Sequence, residues 1–223
     1  HQRKEVINKI KALTYKSNEI FNSNPEIIVV DNGILNIATG KKRKHSPNHY
    51  SRILFPVNYK KPKFDNIEDN LKDTMFWKYL TNSFTVAGKF RKEDFDTVLE
   101  IMASFLIRQS IDDKAFLFLG QSGRNGKSTL IKYLERILGS NNVSHTPLQD
   151  LANDMSFLAE LQDKVANMFG DIESDELKHS GKLKELICNL PIDVRKLYGK
   201  PFELVYKGKL LFAMNLFPKT KDQ

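Results

Sequence analysis

A glycine-rich turn followed by a lysine and two hydroxyl residues lies near the middle of the sequence, in the stretch FLFLGQSGRNGKSTLIKYLERIL (116–138). A nucleotide phosphate is bound by converging backbone N–H groups, a helix N-terminus, a lysine for the β and γ phosphates and a hydroxyl for Mg²⁺. Seven consecutive residues supply these groups: Gly123, Arg124, Asn125, Gly126, Lys127, Ser128 and Thr129. We therefore predict an ATP–Mg²⁺ site in which Lys127 is catalytic and Ser128 is a metal ligand.

The spacing of this loop departs from the usual phosphate loop, which has glycine where this chain has Gln121. Gly120 stands one residue earlier, so the loop is one residue longer on its strand side, and we expect Gly120 to make the turn. A chance GKS in an ordinary turn is the alternative interpretation. The apolar run before the loop and the periodic helix after it favour the phosphate loop.

Two other apolar runs end in polar residues that could complete such a site. KVANMFGDIES places Asp171 and Glu173 directly after one run, and KGKLLFAMNLFP places Asn215 at the end of another. In phosphate-loop ATPases one acid holds the Mg²⁺ shell and a neighbour activates water. An amide at a strand end could orient that water or touch the γ phosphate. The residues alone also allow an acid-rich helix start at DIESDE and an asparagine that caps a turn.

The elements that must position these residues alternate between strands and helices, which predicts an α/β sheet. The run at 115–120 reads as a strand buried on both faces of a parallel sheet, and 164–171 and 207–218 read as two more strands. A helix follows the loop and ends at Gly139. Before residue 110 we predict helices over 4–22, 65–84 and 93–109 and a β-hairpin around residues 31–33. The chain thus divides into a mostly helical region, 1–110, and an α/β region, 111–223.

The net charge of +8 is concentrated in two stretches. Residues 41–63 carry eight Lys or Arg and no acid, and residues 178–209 carry eight Lys or Arg against three acids. Basic patches of this kind attract nucleic acid, although a solvated surface is the alternative for the first stretch. No run approaches the roughly 18 apolar residues of a membrane span, and the start lacks a signal peptide. With Cys188 as the single cysteine, we expect a cytoplasmic protein of a bacterial host or phage-infected cell.

Five segments in this order resemble the phage and plasmid primase-helicase family. They are NGILNIATGKKRKHSPNHY (32–50), GRNGKST (123–129), VANMFGDIES (165–174), LKELICNLPIDVRKLYGKPFEL (183–204) and FAMNLFP (212–218). That family is related to the poxvirus-type NTPases and belongs to the superfamily-three helicases, within the AAA+ ATPases. The resemblance implies a P-loop AAA+ domain, preceded by a helicase-associated region, that uses ATP and Mg²⁺.

The resemblance also implies roles for individual residues. Asp171 falls at the principal Walker B acid, with Glu173 as its neighbour, and Asn215 falls at sensor 1. A β-hairpin over 192–202 would grip single-stranded DNA through its basic and aromatic residues: Arg195, Lys196, Tyr198 and Lys200. Without the resemblance, RKLYGK is a basic turn on a solvated surface.

The implied function is ATP-driven translocation of a replicative DNA helicase, in a homo-hexameric ring, on single-stranded and replication-origin DNA. A primase domain or protein is an implied partner. The sequence ends before the family's arginine finger, which contributes roughly a thousand-fold or more to turnover. We therefore expect the chain to be part of a longer protein, to bind ATP and to hydrolyse it slowly.

Two other functions fit parts of the sequence. A DNA-binding or origin-docking module with a degenerate nucleotide site would explain the long loop and the basic stretch 41–63. It predicts DNA binding that does not respond to ATP. A small-molecule kinase would explain the phosphate loop but leaves the basic hairpin and the N-terminal half without a role.

Overall fold

The computed structural model describes residues 2–17, 20–107, 113–120, 125–172 and 181–217, with only the backbone given for 171 and 172. Its helices are α1 (Gln2–Thr14), α2 (Ile67–Leu71), α3 (Met75–Ser83), α4 (Lys92–Ser104), α5 (Lys127–Leu138), α6 (Leu148–Asn153), α7 (Met155–Ala159) and α8 (Gly181–Ile187). Its strands are β1 (Ile27–Val30), β2 (Gly33–Asn36), β3 (Lys41–Arg43), β4 (Thr85–Val86), β5 (Lys89–Phe90), β6 (Ala115–Leu119), β7 (Val143–Ser144), β8 (Ala166–Ile172), β9 (Ile192–Arg195), β10 (Pro201–Leu204) and β11 (Lys209–Met214). Within the described ranges, no helix is long and apolar enough to cross a membrane.

The central element of the C-terminal half is a four-stranded parallel sheet with the order β6-β11-β8-β7. All six residues of β11 are buried, as expected for a strand with a neighbour on each side and helices over its faces. Helix α5 packs on this sheet through residues one turn apart, Leu130, Leu134 and Leu138. Gly139 ends the helix with a φ of 83° and donates its N–H to the carbonyl of Glu135. The predicted mixed α/β fold with a parallel sheet is therefore confirmed.

The N-terminal half contains a small antiparallel sheet, β1-β2-β3, and the helices α2 to α4. The hairpin predicted around residues 31–33 is present, with Val30 paired to Gly33. Its third strand, β3, was not predicted and comes from the basic stretch. Two antiparallel pairs complete the described part of the chain, β4-β5 in this half and β9-β10 in the other.

One hydrophobic core joins the two halves of the chain. It contains Phe55, Leu80 and Phe105 from the N-terminal half together with Leu134 and Met168 from the C-terminal half. A second core lies on the other side of the central sheet and joins α6, α7 and α8 to the base of the β9-β10 hairpin. The division at residue 110 stays a prediction, since these shared contacts do not define a boundary there.

Three expectations about individual elements were wrong in part. Strand β6 lies at an edge of the described sheet, so Leu117 and Leu119 are exposed instead of buried. The helix predicted over 65–84 is two helices, because Thr74 caps a new one by accepting a hydrogen bond from the Trp77 N–H. Helix α1 ends at Thr14, short of the predicted end at residue 22, and none of its residues is buried.

Candidate nucleotide site and basic hairpin

The carboxyl ends of three parallel strands meet where the sequence places its candidate catalytic residues. The N–H of Gly120, just after β6, donates to the carbonyl of Met214 at the end of β11, with an N···O distance of 3.1 Å. Met214 in turn is aligned with Ile172 at the end of β8. The backbone of Asp171 and residue Asn215 therefore lie at the same edge of the sheet as the start of the loop. Open α/β sheets bind ligands at this edge.

The ammonium group of Lys127 lies among three oxygen atoms at this edge. Its Nζ donates to the carbonyl of Gly120 at 3.1 Å, to Oδ1 of Asn125 at 3.1 Å and to Oδ1 of Asn215 at 3.2 Å. An ammonium has three donors and no acceptor, so these three oxygens match its full hydrogen-bonding capacity. The structure thus joins Lys127 and Asn215, which are 88 residues apart in the sequence.

Helix α5 begins at this point, at Lys127. Gly126 caps the helix with a φ of 86°, a left-handed conformation that favours glycine. The first hydrogen bond of the helix runs from the Leu130 N–H to the Gly126 carbonyl, so the amides of residues 127–129 lie outside the helical ladder. Such amides and the helix dipole attract an anion.

An open cavity of about 950 Å³ lies in front of these groups. It is lined by Tyr79, Asn82, Ser83, Asn125, Gly126, Lys127, Ser128, Thr129, Ala213, Met214 and Asn215. This volume is within the roughly 300–1,000 Å³ of small-molecule sites. The hydroxyl-bearing residues Ser128 and Thr129 are exposed at its wall.

The geometry around Lys127 depends on two positions that carry no Cβ atom. A Cβ on Gly120 would overlap the side-chain amide of Asn125 and would lie 2.8 Å from Lys127 Nζ. A Cβ on Gly126 would lie 3.0 Å from the hydroxyl oxygen of Tyr79. Gly120 therefore contributes a close approach to the lysine, while the left-handed turn belongs to Gly126. This cradle, with its cation and exposed hydroxyls, fits a nucleotide phosphate and its Mg²⁺.

Helix α3 of the N-terminal half forms part of the wall, which the sequence did not predict. The Tyr79 hydroxyl donates to the Gly126 carbonyl at 2.7 Å, and Ser83 lies one turn further along the helix. Burial raises the pKa of Tyr79 above its ordinary value, although hydrogen bonds to Ser83 and the Leu130 backbone oppose this. The phenol therefore keeps its proton and its role as a donor at neutral pH. No local pattern marks Tyr79, because only the fold brings it across to the loop.

Part of the expected site lies outside the described residues. Gly123, Arg124 and Glu173 fall there, as does the side chain of Asp171. Their roles at the phosphates, at Mg²⁺ and at the attacking water stay predictions. Among the residues whose side chains are described, no group of three or more His, Cys, Asp or Glu could hold a metal ion.

The second region predicted to be functional is the β9-β10 hairpin, whose base packs in the core on the sheet face opposite α5. Strands β9 and β10 pair antiparallel from Ile192–Leu204 to Arg195–Pro201, and their inward residues pack on helices α6 to α8. The tip exposes its residues to solvent, with Tyr198 95% exposed. Arg195 Nε donates to the Gly199 carbonyl at 2.9 Å. Lys196 and Lys200 are exposed at the same tip.

Comparison with known proteins identifies similarity in both halves of the chain. A family described as "D5 N terminal like" matches residues 1–85, and a "Family of unknown function (DUF5906)" matches residues 118–223. The chain is similar to the A form apo structure of the NrS-1 C-terminal region, with 17% identity and a TM-score of 0.55, over 98% of this chain and 48% of that one. A second apo structure of that region matches with 15% identity and a TM-score of 0.50, over 62% of this chain and 33% of that one.

These matches describe the fold of the chain. At such identities, similarity to a solved structure is evidence of a shared fold alone. The chain spans about half the length of the NrS-1 structure that it matches over 98% of its own residues.

Proposed function

We propose that this chain, whose sequence resembles the phage and plasmid primase-helicase family, is the ATPase core of a replicative DNA helicase. It would bind ATP–Mg²⁺ in the cavity at the strand ends, in an AAA+ arrangement, and use hydrolysis to move along single-stranded DNA. The observation that carries the proposal is the Lys127 ammonium, held among three oxygens beside helix amides that lie outside the helical ladder and beside Gly120 and Gly126. A charge placed in this way is suited to the β and γ phosphates.

Lys127 would act by exchanging hydrogen-bond partners. Its three present acceptors are neutral oxygens, and phosphate oxygens carry charge, so hydrogen bonds to phosphate are stronger. The amides of Asn125 and Asn215 would be released when the lysine turns to the phosphates. Asn215 would then be free to orient the attacking water, as expected of a sensor residue at this edge.

Other residues near the strand ends would bind the metal ion and activate the attacking water. Ser128 would ligate Mg²⁺ from the first turn of α5, with Asp171 at the end of β8 supplying a carboxylate to the same shell. Bound Mg²⁺ would neutralise charge on the phosphates. Glu173 would accept the proton of the attacking water.

Strand β11 offers a physical connection between the nucleotide site and the hairpin. Phe212 and Met214 of this strand pack in the same core as Ile192 and Val194 of the hairpin base. The next residue after β11 is Asn215, which contacts Lys127. A change of hydrogen-bond partner at Lys127 would therefore alter the packing at the base of the hairpin.

In the whole protein we propose a homo-hexameric ring, replication-origin DNA as the substrate and a primase domain or protein as a partner.

The experiment that tests the nucleotide site compares two lysines of α5. Lys127→Ala should abolish binding of Mg²⁺–ATP measured by calorimetry, because it removes the cation that would contact the phosphates. Lys132→Ala removes an exposed lysine on the same helix and should bind ATP as the unaltered chain does. Retention of ATP affinity in Lys127→Ala would overturn the proposal.

A further inference from the structure

A groove rich in cations lies in the N-terminal half, formed by two segments that are separate in the sequence. Its volume is about 750 Å³. One wall is the edge strand β3 with the turn before it, and the other is the segment 59–65. The lining residues are Thr39, Gly40, Lys41, Lys42, Arg43, Tyr59, Lys61, Pro62, Phe64 and Asp65. We call this site the β3 groove.

The first wall of the β3 groove is held by its pairing to β2. Ile34 is aligned with Arg43, and Asn36 with Lys41. Gly33 permits this close approach, because a Cβ at that position would overlap the Arg43 carbonyl oxygen. The cations on β3 are therefore presented along a fixed strand.

The second wall is held by two asparagine side chains. Asn32 accepts from the Tyr59 N–H at 3.0 Å and donates to the Tyr59 carbonyl at 2.9 Å. Asn70 accepts from the N–H groups of Lys63 and Phe64 at 2.8 and 3.2 Å, and donates to the Phe64 carbonyl at 2.6 Å. The backbone on both sides of Lys61 is thus fixed, and the groove exists before any ligand binds.

The β3 groove is positively charged, and its cations are exposed to solvent. Lys41, Lys42, Arg43 and Lys61 are all exposed, and Asp65 is the single carboxylate among the lining residues. Within the part of the chain that the structure describes, none of these four cations forms an ion pair. Four unpaired cations along one groove suit a polymer of phosphates.

An exposed aromatic ring distinguishes this groove from a general basic surface. Phe64 is 54% exposed although it lies among lysines, and Tyr59 is half-buried beside it. The faces of unpaired bases stack on aromatic side chains, whereas the bases of a duplex are already stacked on each other. The combination of cations and an exposed ring therefore fits a single strand better than a duplex.

We propose that the β3 groove binds single-stranded nucleic acid, at a place distinct from the tip of the β9-β10 hairpin and without a requirement for ATP. Lys41, Lys42, Arg43 and Lys61 contact backbone phosphates, and Phe64 stacks on a base. This inference goes beyond the proposed ATPase and does not depend on it.

The test measures binding of a fluorescent oligothymidylate without ATP, by anisotropy, in a chain whose hairpin carries Arg195→Ala, Lys196→Ala and Lys200→Ala. In that background, Lys41→Ala, Lys42→Ala and Lys61→Ala together should weaken binding at least about tenfold and reduce the slope of log affinity against log salt by about 2. The matched control removes three exposed lysines elsewhere, Lys9, Lys89 and Lys132, by substitution to alanine. We expect the control to leave the slope unchanged. Equal slopes in the two triple variants would overturn the proposal.

A second pair of variants tests the base contact. Phe64→Ala should weaken single-strand binding by about five- to a hundredfold and leave binding of a duplex of the same length unchanged. Phe157→Ala removes a similarly exposed ring from α7 and should alter neither. Equal effects of Phe64→Ala on both forms of DNA, or no effect on either, would overturn the assignment to single strands. Thermal unfolding of each variant, followed by circular dichroism, separates loss of contacts from loss of the fold.

Discussion

Lys127, at the start of α5, and the lysines at the tip of the β9-β10 hairpin have opposite surroundings. Lys127 has three oxygen acceptors within 3.2 Å, all from its own chain. Within the described residues, the side chains of Lys196 and Lys200 make no hydrogen bond or ion pair. Oxygen atoms of described residues surround the ammonium group of Lys127, whereas the hairpin presents its lysines to solvent.

This difference indicates two kinds of ligand. A small anion is bound best where its contacts are already in place, because little conformational freedom is then lost on binding. A polymer of phosphates is bound from outside by exposed cations and aromatic rings, and Tyr198 is an exposed ring at the hairpin tip. Arg195 is intermediate, since its bond to the Gly199 carbonyl shapes the tip while the side chain stays exposed.

The largest effect is expected when the backbone at Gly126 is distorted. Gly126→Ala would force a left-handed backbone on alanine, at a cost of about 1–2 kcal/mol in folding free energy, and would crowd Tyr79. We expect ATP binding, measured by calorimetry, to be lost or greatly weakened.

Gly88→Ala is the control for this change. Gly88 also has a left-handed conformation, with a φ of 76°, but nothing lies near the position of its missing Cβ. It should lose a similar amount of stability while keeping ATP affinity. Equal ATP affinity in both variants would show that the loop does not depend on Gly126.

A smaller effect is expected from the hydrogen bond that joins the two halves of the chain. Tyr79→Phe removes the donor to the Gly126 carbonyl and should weaken ATP binding by about fivefold, since such a bond contributes roughly 1 kcal/mol. Because burial raises the pKa of Tyr79 above its ordinary value, the phenol donates at neutral pH and loses this role only as the pH rises through its elevated pKa.

Tyr133→Phe is the matched control, because Tyr133 is another partly exposed tyrosine whose pKa is raised by burial and whose ring stacks on Phe76 at 4.2 Å. Tyr133 lies outside the cavity, and the ATP affinity of the Tyr133→Phe variant should equal that of the unaltered chain. If Tyr133→Phe lost as much ATP affinity as Tyr79→Phe, the Tyr79 hydroxyl would have no special role in ATP binding.

The smallest single effects are expected at the open hairpin. Arg195→Ala, Lys196→Ala and Lys200→Ala should each reduce the salt slope of single-strand binding by roughly 0.7, the value for one phosphate contact. The measurement uses oligothymidylate and the chain that already carries the three lysine substitutions in the β3 groove. Lys132→Ala should not alter the slope. Unchanged slopes at all three hairpin positions would leave the hairpin without a DNA contact.

The sequence predicted those features that follow from local pattern and from the ends of parallel strands. Lys127 and Asn215 meet because parallel strands end at one edge, so their proximity could be expected before the structure. The alternation of strands and helices predicted the sheet for the same reason.

Features that depend on packing between distant segments were not predictable. Tyr79 reaches Gly126 across 47 residues, and its spacing in α3 carries no sign of this contact. The exposure of Leu117 and Leu119 depends on the position of β6 at an edge, which its apolar sequence does not reveal. The β3 groove likewise needs two basic segments to lie side by side.

The most direct test of the proposed ATPase measures whether ATP at the candidate nucleotide site changes the binding of single-stranded DNA at the hairpin. Single-strand affinity is determined with and without Mg²⁺–ATP, in chains with and without Lys127→Ala, all carrying the three lysine substitutions in the β3 groove. We predict that ATP changes the single-strand affinity of the chain with Lys127 and has no effect when Lys127 is alanine. The same affinity under all four conditions would contradict it, and would favour a DNA-docking module whose nucleotide site is inactive.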